Sequence, residues 1–227
     1  MPAEPAVLRR RYAGYLFDLD GTLVDSAPDI TGALNAALQR IGRPTVDEAL
    51  TRHWVGHGSR VLIERALAHL DPTTGAPDGS TMARAMDAFI EHYRAHIADA
   101  TRPYPGVVEA LNGLVQRGAR LAVVTNKLGS LSEQLLVALH LRPLFAAVVG
   151  GDTLPQRKPD AEPALFACTQ MHVTASDVLF VGDSATDVET ARAAGCAVVC
   201  VRDGYNHGTP AEQLGADGII DSLIALL

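Results

Sequence analysis

Apolar positions follow two different rhythms along the chain. From about residue 105 to the end, short runs that are apolar throughout alternate with segments of helical period. The runs are Leu121–Thr125, Ala147–Gly150, Val178–Gly182, Ala197–Val201 and Gly218–Ile220, with Tyr15–Phe17 as a further one near the start. Between them, Val107–Arg117, Ser130–His140, Ala161–Met171 and Asp187–Gly195 read as helices. Strands that are apolar on both faces and joined by helices predict an α/β core with a parallel sheet covered on each side.

From Tyr15–Phe17 to residue 103 only the helical rhythm is present. Ile30, Ala33, Leu34, Ala37, Leu38 and Ile41 mark one helix face, and Val61–Leu70 and Met82–Ile97 read as two more helices. No strand is predicted there, and Asp71–Ser80 is rich in turn residues, as in a surface connection. Arg102-Pro103-Tyr104-Pro105-Gly106 has the stiff punctuation of a hinge. The expected division is therefore an α/β core from 1–26 and 103–227, with an all-helical domain, 27–102, inserted after the first strand.

Composition narrows the function. The 227 residues carry a net charge of −7, and 48% are hydrophobic, enough for one core and a small second domain. An acidic chain has no electrostatic reason to seek nucleic acid or an anionic membrane, so an anionic substrate must be met by a local positive site. The basic residues are seventeen arginines and only two lysines, Lys127 and Lys158. No signal-peptide pattern opens the chain, and no run is long enough to span a bilayer. Cys168, Cys196 and Cys200 are spaced neither as a metal site nor as a paired framework. Reduced, buried thiols in a cytoplasmic protein are expected.

In open α/β sheets the ligand crevice lies beyond the carboxyl ends of the strands. The first strand there runs into Asp18-Leu19-Asp20-Gly21-Thr22, the second ends in Thr125-Asn126-Lys127, and Val178–Gly182 runs into Asp183-Ser184 with Asp187 four residues on. Lys158 precedes Pro159 at the start of another helix. Four carboxylates at close range cannot all ionise beside one lysine, and an all-oxygen donor set calls for a hard divalent cation, Mg²⁺ rather than zinc. Cation, lysine, hydroxyl and helix N-termini together describe a phosphoryl site. No Gly-Lys-Ser/Thr loop of the nucleotide triphosphatases is present.

These residues carry a resemblance. Asp18–Ser26, Thr125-Asn126-Lys127, Lys158-Pro159 and Gly182–Asp187 resemble, in order, the motifs of the haloacid dehalogenase-like hydrolase superfamily. The tail Asp203–Gly208, followed by Ala216–Ile220, is similar to the bacterial phosphoglycolate phosphatase branch, with His207 where tyrosine is more usual. The resemblance implies a Rossmann-like core with a helical cap inserted after the first strand. It further implies Asp18 as nucleophile and Asp20 as acid/base. Thr125, Asn126 and Lys158 would bind phosphate. Asp18, Asp183 and the Asp20 backbone carbonyl would hold Mg²⁺, with Asp187 in support, although Asp187 could equally serve as a helix cap. The substrate implied is a small phosphate monoester, most specifically 2-phosphoglycolate.

Other readings stay open on the sequence. Lys127 could be a solvated amine or a structural part of the site. Trp54-Val55-Gly56-His57-Gly58, with Arg60, is a Gly-broken junction between two cap helices. There His57 and Arg60 either read the non-phosphate end of the substrate or sit in an ordinary turn. Arg65 is a further candidate for a substrate carboxylate. His92 and His96 lack the glutamate of a zinc protease and read as a solvated helix face. Residues 27–102 contain no lysine, which excludes a Schiff-base phosphonate enzyme, and Asp20 disfavours a dehalogenase. Phosphatases for sugar or amino-sugar phosphates, a pyrophosphatase and a phosphoglucomutase remain alternatives. A binding module without turnover is disfavoured because every catalytic position is filled.

Overall fold

A computed structural model of the chain describes residues 5–72 and 77–227. The turn-rich stretch therefore falls partly outside the described residues, at 73–76.

The chain enters through β1 (Gly14–Phe17), which is buried along its whole length. A two-residue strand, β2 (Val24–Asp25), then leads into four helices: α1 (Ala27–Arg40), α2 (Glu48–Trp54), α3 (Ser59–Leu70) and α4 (Gly79–Ala95). The chain returns through β3 (Arg102–Pro103) to α5 (Val107–Gln116), β4 (Arg120–Val124), α6 (Gly129–Ala138), β5 (Ala147–Val149) and α7 (Glu162–Met171). It finishes with β6 (Val178–Gly182), α8 (Ala185–Ala194), β7 (Ala197–Val201) and β8 (Gly218–Ile220).

Six strands form one parallel sheet in the order β5-β4-β1-β6-β7-β8. Alternating residues serve its two faces, as the strand pleat requires. Tyr15, Phe17, Leu121, Val123, Leu179 and Val181 face α5, α6 and the helical insert. Leu16, Ala122, Val124, Phe180 and Val198 face Ala164, Ala167 and Met171 of α7 and Val188 and Ala191 of α8. Burial on both sides is why these runs lack polar alternation. The strand order reverses at β1 and β6, and that switch point opens a crevice beyond their carboxyl ends.

The insert is helical, with one departure from the sequence expectation. β2 and β3 pair antiparallel, Val24 with Pro103 and Asp25 with Arg102, where no strand was expected. The ladder is two residues long and includes a proline, too short for any periodic signal. It ties together the two strands of chain that enter and leave the insert. Asp29 fastens the same junction. Its buried carboxylate accepts the backbone N–H groups of Ala100 and Thr101, the latter at 2.8 Å, and the Thr101 hydroxyl at 2.7 Å. On the other side, Tyr205 Oη accepts the N–H groups of Ser26 and Ala27, both at 2.9 Å, and donates to Asp25 at 2.6 Å. Asp25 also pairs with Arg52 of α2 at 2.8 Å.

The three cysteines are free and buried. Cys196 directly precedes β7, and Cys200 lies within it. Among the described residues no helix is long and apolar enough to cross a membrane.

Candidate active site

Each strand-end residue is placed by its strand. Asp18 directly follows β1 and stays in the ladder, its N–H donating to the Val181 carbonyl at 2.9 Å. Its carboxylate turns back so that Oδ1 accepts the Leu19 N–H at 2.7 Å and meets Lys158 Nζ at 2.9 Å. The chain then turns through Gly21, whose φ is +89° and where a Cβ would lie 2.4 Å from Asp183 Oδ2. Only glycine lets this loop come so close to the next carboxylate. Thr22 seals the approach by donating to Asp183 Oδ1 at 2.8 Å.

Asp183 follows β6, and its Oδ2 accepts the Tyr205 N–H. Asp187 lies one turn into α8, where two roles proposed for it meet. Its Oδ2 accepts the Ser184 and Asp183 N–H groups, both at 3.1 Å, and the Ser184 hydroxyl at 2.8 Å, completing a capping box. Its Oδ1 accepts from Lys158 Nζ at 2.6 Å. One carboxylate thus serves the capping box and the pair with Lys158.

Asp18, Asp183 and Asp187 are all buried, with one oxygen of each within 4.8 Å of the others. Lys158, also buried, is the ammonium that pairs with Asp18 and Asp187. Burial pushes the Asp18 carboxyl up to about 6; Lys158 opposes the shift, while Asp187 and Asp20 add to it. Asp183 is raised well above the usual carboxylate range by burial and by its carboxylate neighbours. Burial works against the Lys158 ammonium, but Asp18 and Asp187 outweigh it and hold the proton. One cation thus leaves three buried carboxylates undercompensated, and the donor set consists of oxygens alone. This set fits a hard divalent cation.

The opposite wall comes from the loop after β4. Thr125 is buried, and its Oγ1 accepts the Lys127 N–H at 3.2 Å. The Asn126 carboxamide donates to the carbonyls of Gly56 and Lys158, at 3.0 and 3.2 Å, and so joins the core to the insert. Lys127 is not a solvated amine. It is buried, and Nζ spans both oxygens of Asp20 at 2.9 and 3.1 Å and donates to Tyr93 Oη of α4 at 2.7 Å. Asp20 Oδ1 also accepts the Ser26 hydroxyl at 2.5 Å.

Above these residues the insert closes a pocket over Asp18 and Asp20. Ile30, Val55, Leu62 and Phe89 form its apolar wall, with Gly58 and Ser59 at the start of α3. Arg60 is not part of that wall. It is exposed and pairs with Glu64 one turn along α3, at 3.1 Å. Arg65 braces the α2–α3 junction by donating to the Trp54 carbonyl at 3.1 Å. His57 also lies off the pocket wall, against His207 at the seam between insert and core, with ring centroids 5.0 Å apart. His57 Nδ1 and His207 Nε2 are buried there without a hydrogen-bond partner among the described residues. The His92 and His96 rings lie 4.5 Å apart, tilted by 34°, on the outer side of α4, away from this pocket.

The part that sequence reading underrated is the pair Lys127–Tyr93. Its one advance signal is the scarcity of lysine. Tyr93 carries no signal at all, since it reads as an ordinary core position of an amphipathic helix.

Comparison with known proteins agrees with this geometry. The haloacid dehalogenase-like hydrolase model matches residues 15–201, and the chain belongs to that family. The chain is 42% identical over 225 residues to phosphoglycolate phosphatase 1 of Pseudomonas aeruginosa, covering 99% of this chain and 82% of that protein. It is 42% identical over 209 residues to a phosphoglycolate phosphatase of Nitrosospira multiformis, covering 92% of this chain and 91% of that one. A crystal structure from Haemophilus somnus, described as a predicted phosphoglycolate phosphatase, superposes with a TM-score of 0.89 at 35% identity. That match covers 94% of this chain and 96% of the other.

Proposed function

We propose that the chain is a Mg²⁺-dependent phosphatase that hydrolyses 2-phosphoglycolate to glycolate and phosphate. The observation that carries the chemistry is the buried cluster of Asp18, Asp183 and Asp187 at the switch point of the sheet, with Lys158 paired to Asp18 and Asp187. The substrate rests on the names of the relatives, which match the chain over nearly its whole length. In this reading residues 1–26 and 103–227 are the catalytic core, and 27–102 are a cap that excludes water and bulky esters.

Asp18 attacks phosphorus, and the ester P–O bond breaks to leave an aspartyl-phosphate. Asp20 gives its proton to the departing alkoxide. A water then attacks phosphorus, Asp20 takes its proton, and the Asp18–phosphorus bond breaks. Thr125, the Asn126 backbone and Lys158 hold the phosphoryl oxygens and offset the charge that builds on them. Asp18, Asp183 and the Asp20 backbone carbonyl would hold the ion, with Asp187 fixing Lys158 and the Asp183 backbone beside it. Bound there, Mg²⁺ would lower the repulsion between the nucleophile and an anionic phosphate.

The test is phosphate release with Mg²⁺ across 2-phosphoglycolate, hexose phosphates, amino-sugar phosphates, nucleotides and pyrophosphate, with Asp18→Asn as control. The reading predicts that phosphoglycolate leads by more than about tenfold in kcat/KM, about 1.4 kcal/mol of transition-state preference. A different leading ester overturns the substrate and leaves the chemistry. Equal behaviour of the wild type and Asp18→Asn overturns the chemistry.

A further inference from the structure

Lys127 poses an energetic question. A buried ammonium costs several kcal/mol unless its protons are well matched. This one is matched completely: two contacts go to Asp20, and the third partner is Tyr93 Oη, with the ammonium 4.4 Å from the Tyr93 ring centre. Tyr93 belongs to α4 of the insert and is fully buried, so the seating of that helix sets where its hydroxyl lies. Asp20, Lys127 and Tyr93 come from three distant stretches of chain. They meet only when the insert lies on the sheet.

Resting on the phosphatase reading above, we infer that Lys127 and Tyr93 are positioning residues for Asp20, with the insert supplying the last brace. Ser26 holds one carboxylate oxygen from the hinge, and Lys127 bridges both from the core. Together they fix the plane of the carboxyl group that must meet the leaving oxygen. Tyr93 in turn fixes the flexible stem of Lys127. Without that hydroxyl the amine has a vacant donor in an apolar wall and swings toward water, taking the carboxylate with it. Misplacing a catalytic group by about 1 Å costs on the order of 100-fold. Proton transfer to a poor leaving group contributes roughly 10²–10⁴-fold.

The inference separates from a general structural role through the leaving group. An alkyl phosphate needs a proton on its departing oxygen. Acetyl phosphate, of similar size, releases acetate and needs none. We expect Lys127→Met to lower kcat/KM on the leading alkyl ester by about 30–100-fold and on acetyl phosphate by less than about threefold. Tyr93→Phe, which keeps the ring and the packing, should lower the alkyl value about 3–10-fold and leave acetyl phosphate within about twofold. The double variant should match Lys127→Met alone, because the two act through one carboxylate. Equal losses on both substrates, or additive losses in the double variant, overturn the inference. Wild-type turnover of both substrates is the separate check on the phosphatase reading.

Discussion

The two walls of the site are built on opposite principles. The core wall is polar and densely bonded: Asp18, Asp183, Asp187 and Lys158 are all buried, and each is held by short bonds to backbone or to one another. The insert wall is apolar, made of Ile30, Val55, Leu62 and Phe89, and Tyr93 is the hydroxyl it sends to the core amine. Buried charges demand exact partners, so the core wall can have one arrangement only. An apolar wall demands volume alone, which many side chains can supply. Fixed chemistry on one side and adjustable shape on the other is the lesson of the contrast.

The strongest way to break the core wall is to remove its cation. Lys158→Met leaves Asp18 and Asp187 without their ammonium, and activity should fall more than about 1000-fold. Metal-free stability should also fall by roughly 3–5 kcal/mol, the usual cost of orphaning a buried charge. Urea unfolding and steady-state kinetics check both; unchanged stability would mean that the Lys158 pairs with Asp18 and Asp187 contribute nothing to holding the core wall together.

The insert wall should respond differently. Phe89→Ala removes a ring that is 3% exposed and should cost about 3 kcal/mol of stability through transfer and cavity terms. Selectivity between a small and a bulkier phosphate ester should narrow while kcat on acetyl phosphate holds. A fall in kcat on every substrate with no change in selectivity would show that the ring does more than fill space.

Asp29→Asn probes the junction between the two walls. It keeps the volume but loses the charge that accepts the N–H groups at residues 100 and 101 and the Thr101 hydroxyl. The expected loss is about 1–2 kcal/mol, with KM affected more than kcat. Hydrogen exchange at those two amides should quicken; unaltered protection would show that Asp29 does not hold this junction.

The smallest effect is a pH term at the seam. Burial, with Arg65 and His207 nearby, holds the His57 imidazole down at about 4, against 6.5 when unfolded. Between those values the unfolded chain binds more protons, so stability is full above pH 6.5 and is lost as the pH falls toward 4. His57→Gln should flatten that limb by on the order of 1 kcal/mol, after allowance for solvent screening. Thermal unfolding of both proteins from pH 7 to 4.5 would show it; parallel curves would clear His57 of the effect.

The same contrast explains what could be read from the sequence. Asp18, Thr125 and Asp183 stand directly after strands, and the strand-end rule gathers them whatever their separation. Lys158, expected at a helix start, lies instead in the turn four residues before α7, because the helix begins only at Glu162. The sheet was legible because strands buried on both faces carry unbroken apolar runs. The β2–β3 ladder was not, being two residues long, and α2 was implied only by the Gly-broken junction that follows Trp54. The approach of Tyr93 to Lys127 depends on how the insert seats on the core, which no local pattern encodes. Arg60 looked like a substrate contact by its place in a Gly-broken junction. Its i, i+4 partner Glu64 on the exposed side of α3 offers a surface pair instead.

The central claim is that Asp18 becomes covalently phosphorylated. A rapid-quench reaction with 2-phosphoglycolate and Mg²⁺, followed by borohydride reduction and peptide mass spectrometry, tests it directly. The account predicts homoserine at position 18, absent when substrate is withheld and absent in Asp18→Asn. Full turnover with an unmodified Asp18 peptide, or a reduced carboxyl at Asp183 instead, would contradict it.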